Sequence, residues 1–215
     1  MDKEKKIKAK IAEIAAQRYV RNERFTYKSA ARQMGIETSE VRKHFGTRAS
    51  MLSYFYDSRI YLYQEHAEQL DAYNDFTLSE KLSDFLLFLF DEFGQHQQFV
   101  LKTYKRFVIK NEKATNFEVL FKDQVKKIFE SDGQISAPSS LILSTAFYSS
   151  VYYKFHAFYH FWSSDESEHQ QQTMALIDKW SSFVEEIFYT KIVEKGADLG
   201  KFLLYNSPLK KILHK

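Results

Sequence analysis

Residues 26–52 read TYKSAARQMGIETSEVRKHFGTRASML, and the fold turns on how this stretch is parsed. Thr26 offers a hydroxyl that can cap the free N–H groups of a first helical turn. Gly35 supplies the left-handed residue at which a helix stops. The spacing predicts a helix over 26–35, the turn Gly35-Ile36-Glu37, and a second short helix over 38–45 that closes before Gly46. Glu37 stands where a capping hydroxyl would be useful, so Thr38 is expected to cap the second helix instead. Ala30 and Ala31 are small where two helices must cross closely, and Met34, Ile36, Val41 and Phe45 supply apolar contacts that fix their angle. One helix lying across a backbone while the next points its N-terminal half into a groove ~12 Å wide is helix-turn-helix geometry.

Working outward, KIKAKIAEIAAQRYV (6–20) places Ile7, Ile11, Ile14 and Ala15 on one stripe of a preceding helix that ends near Arg21. On the other side Ser50 lies early in a long helix that reaches about Ala72, with Leu52, Phe55, Tyr56, Arg59 and Leu62 spaced to join module and body. Helical periodicity continues at 78–93, 96–111, 114–131, 139–163 and 167–195, with a shorter C-terminal segment at 198–205. Sustained period-2 alternation bounded by hairpin turns does not occur. The chain reads as all-α: an N-terminal three-helix module over 1–48, then a helical bundle for regulation and dimerisation over 49–215.

Charge divides the chain at the same place. The net charge is +3, yet residues 1–50 hold 13 of the 31 Lys and Arg against 6 of the 28 Asp and Glu. A basic module on a slightly acidic body is the electrostatic footprint of nucleic-acid binding. For Lys3 to Lys10 alone, a solvated lysine-rich leader is the favoured reading. Aromatics divide the opposite way, since only Tyr19, Phe25, Tyr27 and Phe45 of 36 precede residue 51. Cysteine is absent, which excludes disulfides and thiolate metal sites and suits a reducing cytoplasm. The charged start MDKEKKIKAK lacks the apolar stretch of a signal peptide, so none is expected. Leu141 to Trp162 is apolar but carries Ser144, Thr145, Ser149, Ser150, Lys154, His156 and His160, too polar a load for a lipid-facing span.

At motif level, residues 5–60 resemble the tetracycline-repressor (TetR) family of bacterial transcription regulators. Members typically show a Thr opening the second helix, an aliphatic-Ala pair, an Ala-Gly-Val turn, then Tyr-x-His-Phe and a downstream Lys. This chain has Thr26, Ala30-Ala31, Met34-Gly35-Ile36, Arg42-Lys43-His44-Phe45 and Arg48. Three departures stand out: Arg42 replaces an aromatic packing residue, Glu37 stands where a capping Ser is common in the family, and Ala30 is a smaller plug than the usual aliphatic.

Arg42, Lys43, His44 and Arg48 are the candidate phosphate or groove contacts, because phosphate contacts dominate affinity. Thr26 and Tyr27, at a helix N-terminus, are placed to bind a phosphate, although capping alone accounts equally for Thr26. The resemblance implies base reading by Lys28, Thr38 and Ser39. Glu40 can accept from cytosine N4 or repel misplaced phosphates.

The resemblance further implies a homodimer on a palindromic double-stranded DNA operator, with helices 139–163 and 167–195 pairing with their copies. A stripe of Met174, Ile177, Trp180, Val184, Ile187 and Phe188, widened by Leu176 and Phe183, marks the second of these. It also implies an apolar or aromatic small-molecule effector, for which Tyr104, Phe107, Phe121, Tyr148, Tyr152 and Phe155 are candidate lining residues. A repressor released by its effector is the expected action. No cofactor or metal is expected: His156 and His160 share a helix face, but they read as hydrogen-bonded structural histidines. No nucleophile motif, phosphate loop or carboxylate dyad suggests an enzyme. The competing reading is a helical adaptor whose basic end binds acidic partners or membrane headgroups.

Overall fold

The computed structural model describes residues 1–111, 115–135, 142–190 and 196, and no strand occurs among them. Its helices are α1 (Lys3–Val20), α2 (Tyr27–Met34), α3 (Thr38–His44), α4 (Arg48–Gln69), α5 (Leu78–Gln95), α6 (Gln97–Tyr104), α7 (Phe117–Glu130), α8 (Thr145–Ser163) and α9 (Gln171–Tyr189). The all-α expectation holds.

Local chemistry sets most of the ends. Thr26, Thr47 and Thr77 each accept from the backbone N–H three residues on, while Ser29, Ser50 and Glu80 return the bond to the cap residue's own N–H. Gly35 closes α2 at φ +67°. The third helix differs from expectation: its N-cap is Glu37, which makes no side-chain bond, and Thr38 is the first helical residue. A threonine in a helix can cap only by standing outside it, and here the chain has already turned.

Further along, the segment read as one helix over 96–111 is two pieces. After Tyr104 the chain widens into a π-helical turn, Lys105–Ile109. The segment expected from 167 begins as a 3-10 turn, Glu168–Gln170, with His169 and Gln170 at positive φ. Asp165 explains the break. Its carboxylate accepts from Ser167 and from both N and Oγ1 of Thr173, at 2.6–3.0 Å. Those bonds hold its pKa down at about 2 and fix the start of α9 from eight residues upstream. The expected helix at 198–205, together with residues 139–141 and 191–195 of the two long segments, lies outside the described residues.

Two apolar cores follow. The small one joins Ile11, Ile14, Ala15, Phe25, Ala30, Ala31, Val41, Phe45 and Met51. The large one runs from Ala12 and Ala16 through α4–α9 and holds most of the aromatics. α1 and α4 contribute to both, so the module is seated on the body by two helices and not by a linker.

α4 is tied to the body on several sides. Its buried Arg59 pairs with Glu92 of α5 and lies over the Phe55 ring. Tyr56 meets Thr103 of α6, hydroxyl to hydroxyl, at 2.7 Å. Gln64 donates to Gln124 of α7 at 3.1 Å. Most of α8's ring is covered within one protomer, by burial of Tyr148, Val151, Tyr152, Phe155, Phe158, Tyr159 and Trp162. Tyr153 (70% exposed) and Phe161 (39%) face outward, as do Met174 (44%) and Phe183 (60%) of α9. Among the described residues no helix is long and apolar enough to cross a membrane.

Candidate nucleic-acid interface

α2 and α3 are too short to be stable alone, since isolated helices below ~12–15 residues are marginal. They are held by the inward side chains Ala30, Ala31, Val41 and Phe45, all buried. The opposite side of α3 is thereby fixed outward: Ser39, Arg42 and Lys43 are exposed, at i, i+3 and i+4, and Thr38 is half-buried beside them.

The two helices share a cation–π contact. The Arg42 guanidinium lies 5.1 Å from the Tyr27 ring centre. Arginine therefore restores, through Tyr27, part of the packing that an aromatic at 42 would give, while its charge stays exposed. Thr26 and Tyr27 are half-buried at the α2 N-terminus and Lys28 is exposed.

The remaining sequence-predicted contacts are partly committed elsewhere. His44 sits 3.5 Å from Glu4, its side chain only 14% exposed, and ties α3 to α1. Arg48 reaches back to donate to the Phe25 carbonyl at 3.4 Å. Both brace the module as much as they face outward.

Folding also gathers residues that sequence reading left apart. Arg18, Thr26, Lys28, Ser29, Arg32 and Gln33 line one cleft of about 540 Å³. Arg18 of α1 and Lys28 and Arg32 of α2 share this cleft with the N-terminal turn of α2, whose partial positive charge adds to theirs. Glu23 is the carboxylate at this edge, 3.8 Å from Arg18. The surplus of arginine in residues 1–50 was the signal for Arg18 and Arg32; their convergence on Thr26 required the crossing angle of α1 and α2.

The residues named for an effector sit in the large core. Phe121 packs against Phe155 at 4.8 Å and Tyr152 at 5.4 Å. Tyr104 stacks on Tyr159 at 3.6 Å, and its hydroxyl meets His156 Nδ1 at 2.7 Å. Phe107 is buried as well. Tyr148 stands apart from these, on a cleft of about 790 Å³ between α7 and the start of α8. His156 is thus engaged by a buried tyrosine, while His160 is exposed. Among the described residues no group of three or more His, Asp or Glu is arranged to hold a metal.

A short helix pair with an outward cationic face, seated by two helices on an all-helical body, defines the helix-turn-helix class of DNA-binding regulators. The comparison with family models supplies the family. The model of the tetracyclin repressor-like C-terminal domain matches residues 81–203, more than half of the chain, and the chain belongs to the TetR family of transcription regulators. That match lies in the body, whereas the motif resemblance lies in residues 5–60, so the two rest on separate parts of the chain. No curated protein matches it.

Proposed function

We propose that two copies of this chain bind a palindromic duplex operator through α2 and α3 and repress transcription until a small apolar or aromatic molecule releases them. The observation that carries the reading is the outward set Lys28, Ser39, Arg42 and Lys43, beside the Arg18–Lys28–Arg32 cleft. Arg42, Lys43 and the cleft hold phosphates, the α2 N-terminus accepting one through its free N–H groups. Lys28, Thr38 and Ser39 read base edges. His44 and Arg48 brace the helix pair, and Arg48 adds charge at its margin.

The homodimer forms through the outward faces of α8 and α9, where Tyr153, Phe161, Met174 and Phe183 leave apolar surface exposed among the described residues. Pairing there places the recognition helices about 34–36 Å apart, one DNA turn. An effector acts by binding one spacing more tightly than the other. The route runs through α4, bonded to α5, α6 and α7 at one end and carrying Met51 in the small core at the other.

The test is titration of random-sequence duplex DNA at several salt concentrations, with anionic liposomes in parallel. Wild-type binding should weaken with a slope spanning several counterions, and Arg42→Ala with Lys43→Ala should flatten that slope by two phosphate contacts in each copy, or ~3.6 for the pair. Unchanged binding in the double variant, or a preference for liposomes over DNA, would overturn the reading. Selection from random DNA then yields the operator and its symmetry together.

A further inference from the structure

The body is slightly acidic, with 18 basic against 22 acidic residues from 51 onward, but residues 97–111 carry Lys102, Lys105, Arg106 and Lys110 and no Asp or Glu. All four cations are exposed. No carboxylate lies within ion-pairing distance of Lys102, Lys105 or Lys110 among the described residues. Backbone geometry aligns them. Lys102 and Lys105 are three apart at the end of α6, on one side of the helix. In an α-helix residue 110 would point about 140° away from residue 105. The π-helical turn changes this: Lys110 N–H donates to the Lys105 carbonyl at 3.0 Å, which brings Lys110 back over Lys105.

The helix that carries this cationic face starts against the DNA-binding module. α6 starts against α1, with Phe99 meeting Tyr19 edge-on at 5.9 Å. Gln97, Gln98 and Phe99 share a groove of about 340 Å³ with Gln17, Val20 and Arg21. One turn before Arg21, Arg18 enters the cleft around Thr26. Arg18 and Arg21 thus stand between the α2 N-terminus and the start of α6, with Glu23 beside Arg18 and Glu13 beside His96.

We infer that the outward face of α6 and its π turn is a second phosphate-contacting surface, through which Lys102, Lys105 and Lys110 grip duplex DNA flanking the segment held by α2 and α3. It rests on the DNA-binding reading above. Charge complementarity selects the partner. A helix that lies in a lipid surface must insert an apolar face, but the apolar residues of this segment, Phe99, Val100, Tyr104, Phe107 and Val108, are buried in the core. Leu101 and Ile109, each 45% exposed, are too few and too far apart to replace it. Lysines alone suffice for phosphates, as point charges that release counterions and read no sequence.

The experiment compares wild type with Lys102→Gln/Lys105→Gln/Lys110→Gln on a random-sequence 40-base-pair duplex across a salt series, and on phosphatidylserine-containing vesicles. The substitutions are at exposed positions, and circular dichroism checks that helicity is kept. Expected is a salt slope shallower by about five in the triple variant, three phosphate contacts in each of two copies, with vesicle binding negligible in both proteins. An unchanged slope in a wild type that does bind DNA overturns the α6 surface and leaves the regulator reading standing. Failure of wild type to bind DNA at all overturns both. Vesicle binding that the triple variant loses would assign the face to lipid instead.

Discussion

Asp57 lies in the middle of α4, only 4% exposed, with Oδ1 lacking a hydrogen-bond partner among the described residues. Burial pushes its carboxyl up from 3.8 to about 7, against the N–H groups of Asn116 and Phe117, which favour the charged form. Those groups open α7, a helix with no side-chain cap of its own. The folded protein therefore keeps a proton that the unfolded chain releases between about pH 4 and 7, so this group makes stability fall as pH rises through that window. Asp57→Asn is neutral throughout. Its advantage over wild type should be absent near pH 4 and grow to at most ~4 kcal/mol by pH 8, the full worth of the shift at about 1.36 kcal/mol per unit. Thermal denaturation of both proteins at the two pH values measures it; an equal difference at both would remove the titration account. Nothing in the sequence around Asp57 announces this role, because the helix end it faces is some 60 positions away.

At the scale of elements, α2 is the instructive one, since both its ends are written in the chain and its tertiary neighbours are not. Gly35 closes it at φ +67°, and a Cβ built there would touch nothing within 4 Å. The cost of Gly35→Ala is then conformational only, and should be ~1–2 kcal/mol, the penalty of a left-handed backbone at a residue with a side chain. A chemical-denaturation midpoint reads it, and a loss below ~0.3 kcal/mol would mean that the turn relaxes. The Thr26 cap is legible because donor and acceptor sit three residues apart, a spacing that Thr47 and Thr77 repeat in the structure. The π turn is not. Phe99, Val100, Thr103, Tyr104, Phe107 and Val108 keep an unbroken helical stripe across it, so periodicity predicts one helix over 96–111 and gives no sign of the bond from Lys110 to Lys105. The candidate interface divides similarly. Arg42 and Lys43 follow from helix position, but the inward tie of His44 to Glu4 and the meeting of Arg18 with Arg32 depend on how α1 lies against the pair.

For the whole molecule, the decisive quantity is how many recognition helices one assembly presents. The sequence stripe on α9 mixes two surfaces: Ile177, Val184 and Phe188 are buried within the protomer, while Met174 and Phe183 point away. Trp180 is half-buried against Phe158 at 5.4 Å, so replacing it would damage the fold and the assembly together. Phe183, 60% exposed, separates the two. In a dimer built on α8 and α9, Phe183→Asp buries two unpaired carboxylates across a symmetric seam, which either weakens association or forces their protonation. Mass measurement at micromolar concentration should give twice 25.5 kDa for wild type and 25.5 kDa for the variant, with helicity unchanged. The same variant, titrated on a selected palindromic site, should lose about half of the salt slope, because one module remains where two had bound. A wild type that is monomeric under these conditions would remove the twofold arrangement. A dimer that survives Phe183→Asp would move the seam to another face of the bundle.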